Sequence, residues 1–120
     1  MRLKIFKPDV VERITSQIDL APTILGLLNI SYNSKFFGND AFKSNYKNAF
    51  ISTFQKLGYI ENNKLVVLSP AQNAQTYNLL KNNAINETKS DDELTKRAIA
   101  YYQSSYYLYQ NGLLKESYDK

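Results

Sequence analysis

The sequence contains no cysteine and no histidine. Without cysteine there is no disulfide framework, no thiolate metal site and no cysteine nucleophile or redox motif. Without histidine the commonest general base, the Ser-His pair and nearly all ordinary zinc constellations are gone. Together the two absences disfavour an autonomous enzyme. Arginine is also scarce. Of fifteen cationic residues only Arg2, Arg13 and Arg97 are arginine, whereas recognition of phosphates and base edges leans on the bidentate guanidinium fork. Long apolar runs are missing too. The longest, Ile24-Leu25-Gly26-Leu27-Leu28, is far below the ~20 residues that span a bilayer, so no membrane span is expected in this chain. Residues Met1 to Phe6 lack the apolar region and small-residue cleavage site of a signal peptide, and no targeting signal is expected either.

What remains is ordinary globular material. The 120 residues are 43% hydrophobic and 22% charged, which argues against wholesale disorder and against a fibrous protein. A chain of this size hides roughly two-thirds of its extended surface on folding. The net charge of +4 permits weak attraction to anionic partners without demanding it. Thirteen asparagines, ten tyrosines and the lysine excess match the codon usage of an A+T-rich bacterial genome.

Along the chain, residues 3 to 6 read as a short strand closed by Pro8, and Val10 to Ile14 as a second extended piece. Apolar residues at 20, 24, 27 and 28 then have the spacing of one helical face. Asp19 is the expected N-cap. Pro22 falls in the first turn, where its missing N–H has no partner to lose, and Asn29 is the expected stop. Residues 29 to 48, rich in Asn, Ser and Gly, read as a long connection pinned by Phe36, Phe37, Phe42 and Tyr46.

The grammar then turns to strands: Ala49 to Phe54, Leu57 to Ile60 and Lys64 to Leu68, the last two joined through Glu61-Asn62-Asn63. Asparagine tolerates the positive φ that tight hairpins need. Pro70 ends the third strand, Gln75 to Leu80 supplies a fourth, and residues 65 to 80 carry no charge. An antiparallel sheet with one face to cover follows. The cover is a long C-terminal helix. Ser90-Asp91-Asp92-Glu93 reads as a capping box with Ser90 as N-cap, and positions 94, 98, 101, 102, 105, 108 and 109 form its stripe, with Asn111-Gly112 as the stop. No repeat or linker marks a second complete domain.

Few residues invite a chemical reading. Asp91, Asp92 and Glu93 lack the spacing of an oxygen-ligand loop and sit where a helix start favours negative charge. The tyrosines of the last helix have the period of a helix face rather than a stacking platform. Lys35, Lys43, Lys47 and Lys56 alternate with Phe36, Phe37, Phe42, Tyr46 and Phe54, a faint imitation of a nucleic-acid surface; solvated loop lysines account for them, and nucleic acid is not an expected partner. Asn29-Ile30-Ser31 and Asn86-Glu87-Thr88 match the glycosylation pattern, which any Asn-rich chain produces by chance.

One word is more specific than its parts: Ser16-Gln17-Ile18-Asp19-Leu20-Ala21-Pro22-Thr23-Ile24-Leu25, followed later by Phe37-Gly38-Asn39-Asp40. It resembles the segment after the catalytic core in the sulfatase and phosphoglycerol transferase branch of the alkaline phosphatase superfamily, closest to lipoteichoic acid synthase-like proteins. There the pattern is S-x-I-D-x-x-P-T-x-L and then G-x-D. Residues 50 to 60 and 64 to 70 are also similar to the C-terminal part of such proteins, so the resemblance covers roughly residues 10 to 112.

The resemblance implies a C-terminal fragment of a metal-dependent enzyme that hydrolyses or transfers sulfate or phosphoglycerol groups. The family's metal ligands and its nucleophilic threonine or formylglycine precede this region. None maps onto this chain, and the Asp-His-Gly metal motif has no match in it. No catalytic, cofactor-binding or metal residue is therefore assigned. A divalent metal (Mn, Mg or Ca) is implied for the parent, along with a membrane-anchored, extracytoplasmic location. The expected partners are the remainder of the parent catalytic domain and, for the fragment alone, a second copy of itself. The expected architecture is α+β: a small antiparallel sheet of about four strands under a long C-terminal helix (residues 31 to 120), with residues 1 to 30 as a strand-helix edge of the parent α/β domain. The alternative is a free-standing binding module that uses the basic, aromatic 35 to 56 segment.

Overall fold

The computed structural model describes residues 7–82 and 84–115; the strand expected over residues 3 to 6 lies outside them. Five strands, β1 (Asn48–Ser52), β2 (Leu57–Glu61), β3 (Lys64–Ser69), β4 (Asn73–Leu79) and β5 (Ile85–Thr88), pair antiparallel in chain order. A 3-10 turn (Gln17–Asp19) leads into α1 (Leu20–Leu27), and α2 (Asp92–Gln110) follows the sheet. This is the α+β architecture expected, with one strand more.

Two tight turns set the meander. Asn62 and Asn63 have φ 51 and 60, as the hairpin between β2 and β3 requires. The β3–β4 turn repeats the geometry with Ala71 and Gln72, at φ 63 and 60. Neither residue advertises a left-handed conformation, which costs a non-glycine residue roughly 1–2 kcal/mol. The ladder from Lys64↔Asn78 to Ser69↔Asn73 holds it there. β1 ends two residues before the expected Phe54, because the Thr53 N–H turns back to the Lys56 carbonyl at 2.9 Å and leaves Phe54 98% exposed.

Register concentrates the core in one row. Phe50 lies opposite Tyr59, Tyr59 opposite Val66, Val66 opposite Thr76 and Thr76 opposite Thr88. Because strand side chains alternate, this row crosses the sheet on a single face. α2 lies on it, burying Leu94 and Ala98 against Tyr59 and Val66 with Phe50 and Leu68 alongside. Burying a side chain such as Leu94 stabilises by roughly 1.5–3 kcal/mol. The aromatic rings fit edge to face: Phe50 is 5.1 Å from Tyr101 at 69° and 5.8 Å from Tyr102 at 87°. Tyr102 also donates its hydroxyl towards the Gly58 and Ile51 carbonyls, at 2.8 and 3.1 Å, which anchors α2 across β1 and β2.

Three expectations need correction. The N-cap of α2 is Asp91, not Ser90: its carboxylate accepts the Leu94 N–H at 3.1 Å, while the Ser90 hydroxyl turns to Asp92. The stripe runs out towards the C-terminus, where Tyr109 is exposed because the helix has passed the sheet. Val10 to Ile14 joins no strand ladder.

Candidate functional site

The two words of the sequence motif meet in space. Asp19 Oδ2 accepts the Ser16 N–H at 2.8 Å, closing the turn that starts α1, and Asp19 Oδ1 accepts the Asn39 N–H at 2.8 Å. Thr23 repeats the pattern one turn later. Its hydroxyl donates to the Asp19 carbonyl at 2.6 Å and accepts the Ala41 N–H at 2.8 Å. Asp19 thus caps through the Ser16 backbone rather than as a simple N-cap of α1, where it makes no side-chain cap. Pro22 is buried within the first turn of α1, as its lack of an N–H allows.

Gly38 completes the junction. A Cβ at this position would collide with the Ile18 backbone carbonyl, so only glycine permits the loop to approach this closely. Arg13 extends the link from the other side, its guanidinium donating to the Asp40 carbonyl at 2.9 Å. The 29 to 48 connection is therefore moored by Asp19, Thr23 and Arg13. The aromatic anchors expected there do not hold it: Phe36, Phe42 and Tyr46 are exposed and only Phe37 is half-buried. Of the interleaved lysines, Lys43 lies 4.0 Å from Asp40 and Lys35 donates to the Lys115 carbonyl at 2.6 Å, so both are drawn to acceptors of this chain.

At the other end of the sheet the acidic trio has a structural role. Asp91 Oδ2 accepts from the Lys64 ammonium at 2.8 Å, and the Asp91 N–H reaches the buried Thr76 hydroxyl at 3.3 Å. The Lys64 bond, then the Leu94 N–H, holds the Asp91 carboxyl below its ordinary pKa. Nearby, Arg97 donates to both oxygens of Glu61, at 2.7 and 2.9 Å, and Glu61 accepts from Tyr59 at 3.0 Å. Burial pushes the Tyr59 hydroxyl up to about 12. Among the described residues no group of three or more His, Cys, Asp or Glu side chains could hold a metal ion.

The structure adds one feature that the sequence did not announce. A cleft of about 530 Å³ opens between the 15 to 18 segment, β1 and α2, with Ser16, Gln17, Phe37, Phe50, Ser52 and Tyr101 among its walls. Its residues come from four separate stretches, each unremarkable on its own, so no local signal pointed to it.

No family model matches the sequence. Among solved structures the fold is similar to that of a protein in the alkaline phosphatase superfamily from Vibrio parahaemolyticus, with a TM-score of 0.79 and 26% identity. The alignment covers 88% of this chain and 27% of that one, so this chain spans about a quarter of the length of its neighbour. Fold and sequence together support the alkaline phosphatase superfamily for this chain, with its α+β unit corresponding to a part of that larger fold.

Proposed function

We propose that this chain is the C-terminal portion of a sulfatase-like, metal-dependent enzyme that hydrolyses or transfers sulfate or phosphoglycerol groups, and that it contributes structure rather than reacting groups. The observation that carries this reading is the junction of the two motif words: Asp19 and Thr23 bind the backbone of Asn39 and Ala41, and Gly38 sits against Ile18. Two words that lie apart in the sequence thus form one bonded unit, which supports reading them as parts of a single motif.

The surface supports a larger parent. Its accessible area is 10173 Å², against about 6,600 Å² for a compact monomer of this mass. Its radius of gyration is 17.1 Å, against about 14 Å expected. Leu20 is 62% and Leu28 57% exposed, with Ile24 and Leu27 beside them. On this reading residues 1 to 30 form an edge of the parent's α/β domain, residues 31 to 120 its C-terminal subdomain, and α1 packs on the remainder of the catalytic domain. Among the described residues no cluster of side chains makes a metal site; on this reading a divalent ion (Mn, Mg or Ca) and the nucleophile would belong to the rest of the parent, anchored in a membrane with its catalytic domain outside the cytoplasm.

The test is an assay of the purified chain with nitrophenyl sulfate and bis(nitrophenyl) phosphate, alone and co-expressed with the coding sequence that precedes it. Turnover needs a positioned nucleophile together with a metal or base. The chain alone is expected to be inert and the joined protein to release nitrophenol in a metal-dependent manner. Metal-dependent release by the chain alone, surviving repurification, overturns the proposal.

A further inference from the structure

Going beyond that reading, we propose that the cleft between the 15 to 18 segment, β1 and α2 is a binding site for an uncharged, hydroxyl-rich ring of the glycoside class. Its volume of about 530 Å³ lies within the roughly 300–1,000 Å³ of small-molecule sites. No Lys, Arg, Asp or Glu lines it. A phosphate, sulfate or carboxylate seated there would shed water without meeting a cation, and an ammonium would do so without meeting a carboxylate.

The polar groups that do line the cleft divide into two sets. One set is already committed and rigid. Tyr102 is bonded to the strand carbonyls and the Ser105 hydroxyl donates to the Tyr102 carbonyl at 2.9 Å. The other set has no partner among the described residues: the hydroxyls of Thr15, Ser52 and Tyr101 and the amide of Gln17. Each of these both donates and accepts, and a sugar hydroxyl does the same. Between them stand the rings of Phe50 and Tyr101, held edge to face at 5.1 Å. A pyranose presents an apolar C–H face to an aromatic wall and a rim of hydroxyls to the groups around it, so both kinds of surface are matched at once. A purely apolar ligand would cover these hydroxyls without satisfying them, which is unfavourable. Two of the walls rest on a strand and a helix, which hold a site more firmly than loops do, and the other is the 15 to 18 segment, with its 3-10 turn, beside Phe37.

The test is a chemical-shift titration of the full chain with the methyl glycosides of glucose, galactose and N-acetylglucosamine, with glycerol 1-phosphate as the charged control. At least one glycoside is expected to give saturable shifts at residues 15 to 18, 50 to 52 and 101 to 105, and glycerol 1-phosphate none. Ser52→Ala and Gln17→Ala, both at exposed positions, should each weaken binding roughly 2- to 10-fold, the effect of one hydrogen bond. Tyr101→Ala should abolish saturation; if it loses spectral dispersion, the other two variants decide. The proposal is overturned if no glycoside saturates, if the two variants leave the affinity unchanged, or if glycerol 1-phosphate saturates the same residues. That last outcome would leave the enzyme-fragment reading standing, and turnover by the isolated chain would leave this titration untouched, so the two readings fail separately.

Discussion

The carboxylate of Asp19 accepts the backbone N–H of Asn39 at 2.8 Å, across twenty positions of sequence, while its other oxygen accepts the N–H of Ser16. One side chain therefore starts the first helix and moors the loop that follows it.

Asp19→Ala removes both bonds, and because their donors are only part-buried each loss should cost about 0.5–1.5 kcal/mol, the net worth of an ordinary hydrogen bond. The loss should stay local, since the sheet and α2 make their own core. Amide exchange is expected to accelerate at Asn39 and Ala41 and to stay unchanged at Tyr59 and Val66. Acceleration spread evenly over the sheet would mean that the junction supports the whole molecule.

How much of this was legible from the sequence depends on what each element relies on. α1 and its Pro22 were readable because helix starts are local. The Asn62-Asn63 hairpin was readable because asparagine tolerates the φ it adopts. The Ala71-Gln72 turn was not: its left-handed geometry is imposed by the pairing of β3 with β4, and nothing local signals it. β5 was missed for a related reason. Ile85, Asn86 and Glu87 are exposed at a sheet edge, so the strand carries almost no apolar alternation and exists through its ladder with β4. The mooring of the 29 to 48 segment was misread because aromatic residues suggest burial, whereas here the polar side chains of Arg13, Asp19 and Thr23, on and before α1, bind backbone groups of the loop.

The uncovered face of α1 predicts the behaviour of the isolated chain. Leu20, Ile24, Leu27 and Leu28 are all exposed on an uncharged helix, and apolar patches beyond a few hundred Å² find partners. The purified chain should self-associate in light scattering and bind a hydrophobic dye. Leu20→Glu combined with Ile24→Lys should shift it towards monomer without lowering its Tm. A strictly monomeric, dye-silent wild type would show that this face is not sticky.

α2 should hold the sheet together, because small sheets are marginal in water until one face is covered. Deleting residues 90 to 120 is expected to unfold the strands between 48 and 88 as well, and Leu94→Ala should cost about 2–5 kcal/mol. Dispersed amide resonances from the truncated chain would show that the sheet stands alone.

The capping residue can be identified by comparing Asp91→Ala with Ser90→Ala. Asp91 receives Leu94 and Lys64, whereas Ser90 makes only a 3.4 Å contact with Asp92. The Tm loss should be larger for Asp91→Ala at neutral pH. The carboxyl pKa is lowered in the folded state, so its contribution is present above the unfolded value and lost as pH falls through the folded one. The difference between the two variants should shrink accordingly in acid. An equal Tm loss from both substitutions at neutral pH would return the cap to Ser90.

Tyr59 predicts the opposite edge of the pH range. Its side chain is 1% exposed at the centre of the core row, and burial pushes its hydroxyl from 10.0 up to about 12. The Glu61 carboxylate adds to the rise, and the hydrogen bond from Asn48 opposes it. Because the folded value lies above the unfolded one, the neutral phenol contributes full stability below pH 10, and that contribution drains away as pH climbs through about 12. Tyr102 is raised as well, chiefly by burial, and acts in the same direction. Tm measured from pH 9 to 12 should therefore fall in the wild type and fall less steeply in Tyr59→Phe, which has no phenol to ionise. Tyr59→Phe should also be less stable than the wild type at neutral pH, where Asn48 and Glu61 lose their shared partner. Parallel alkaline profiles for the two proteins would show that Tyr59 ionises at its ordinary value and that the core row is wetter than the packing of α2 on the sheet indicates.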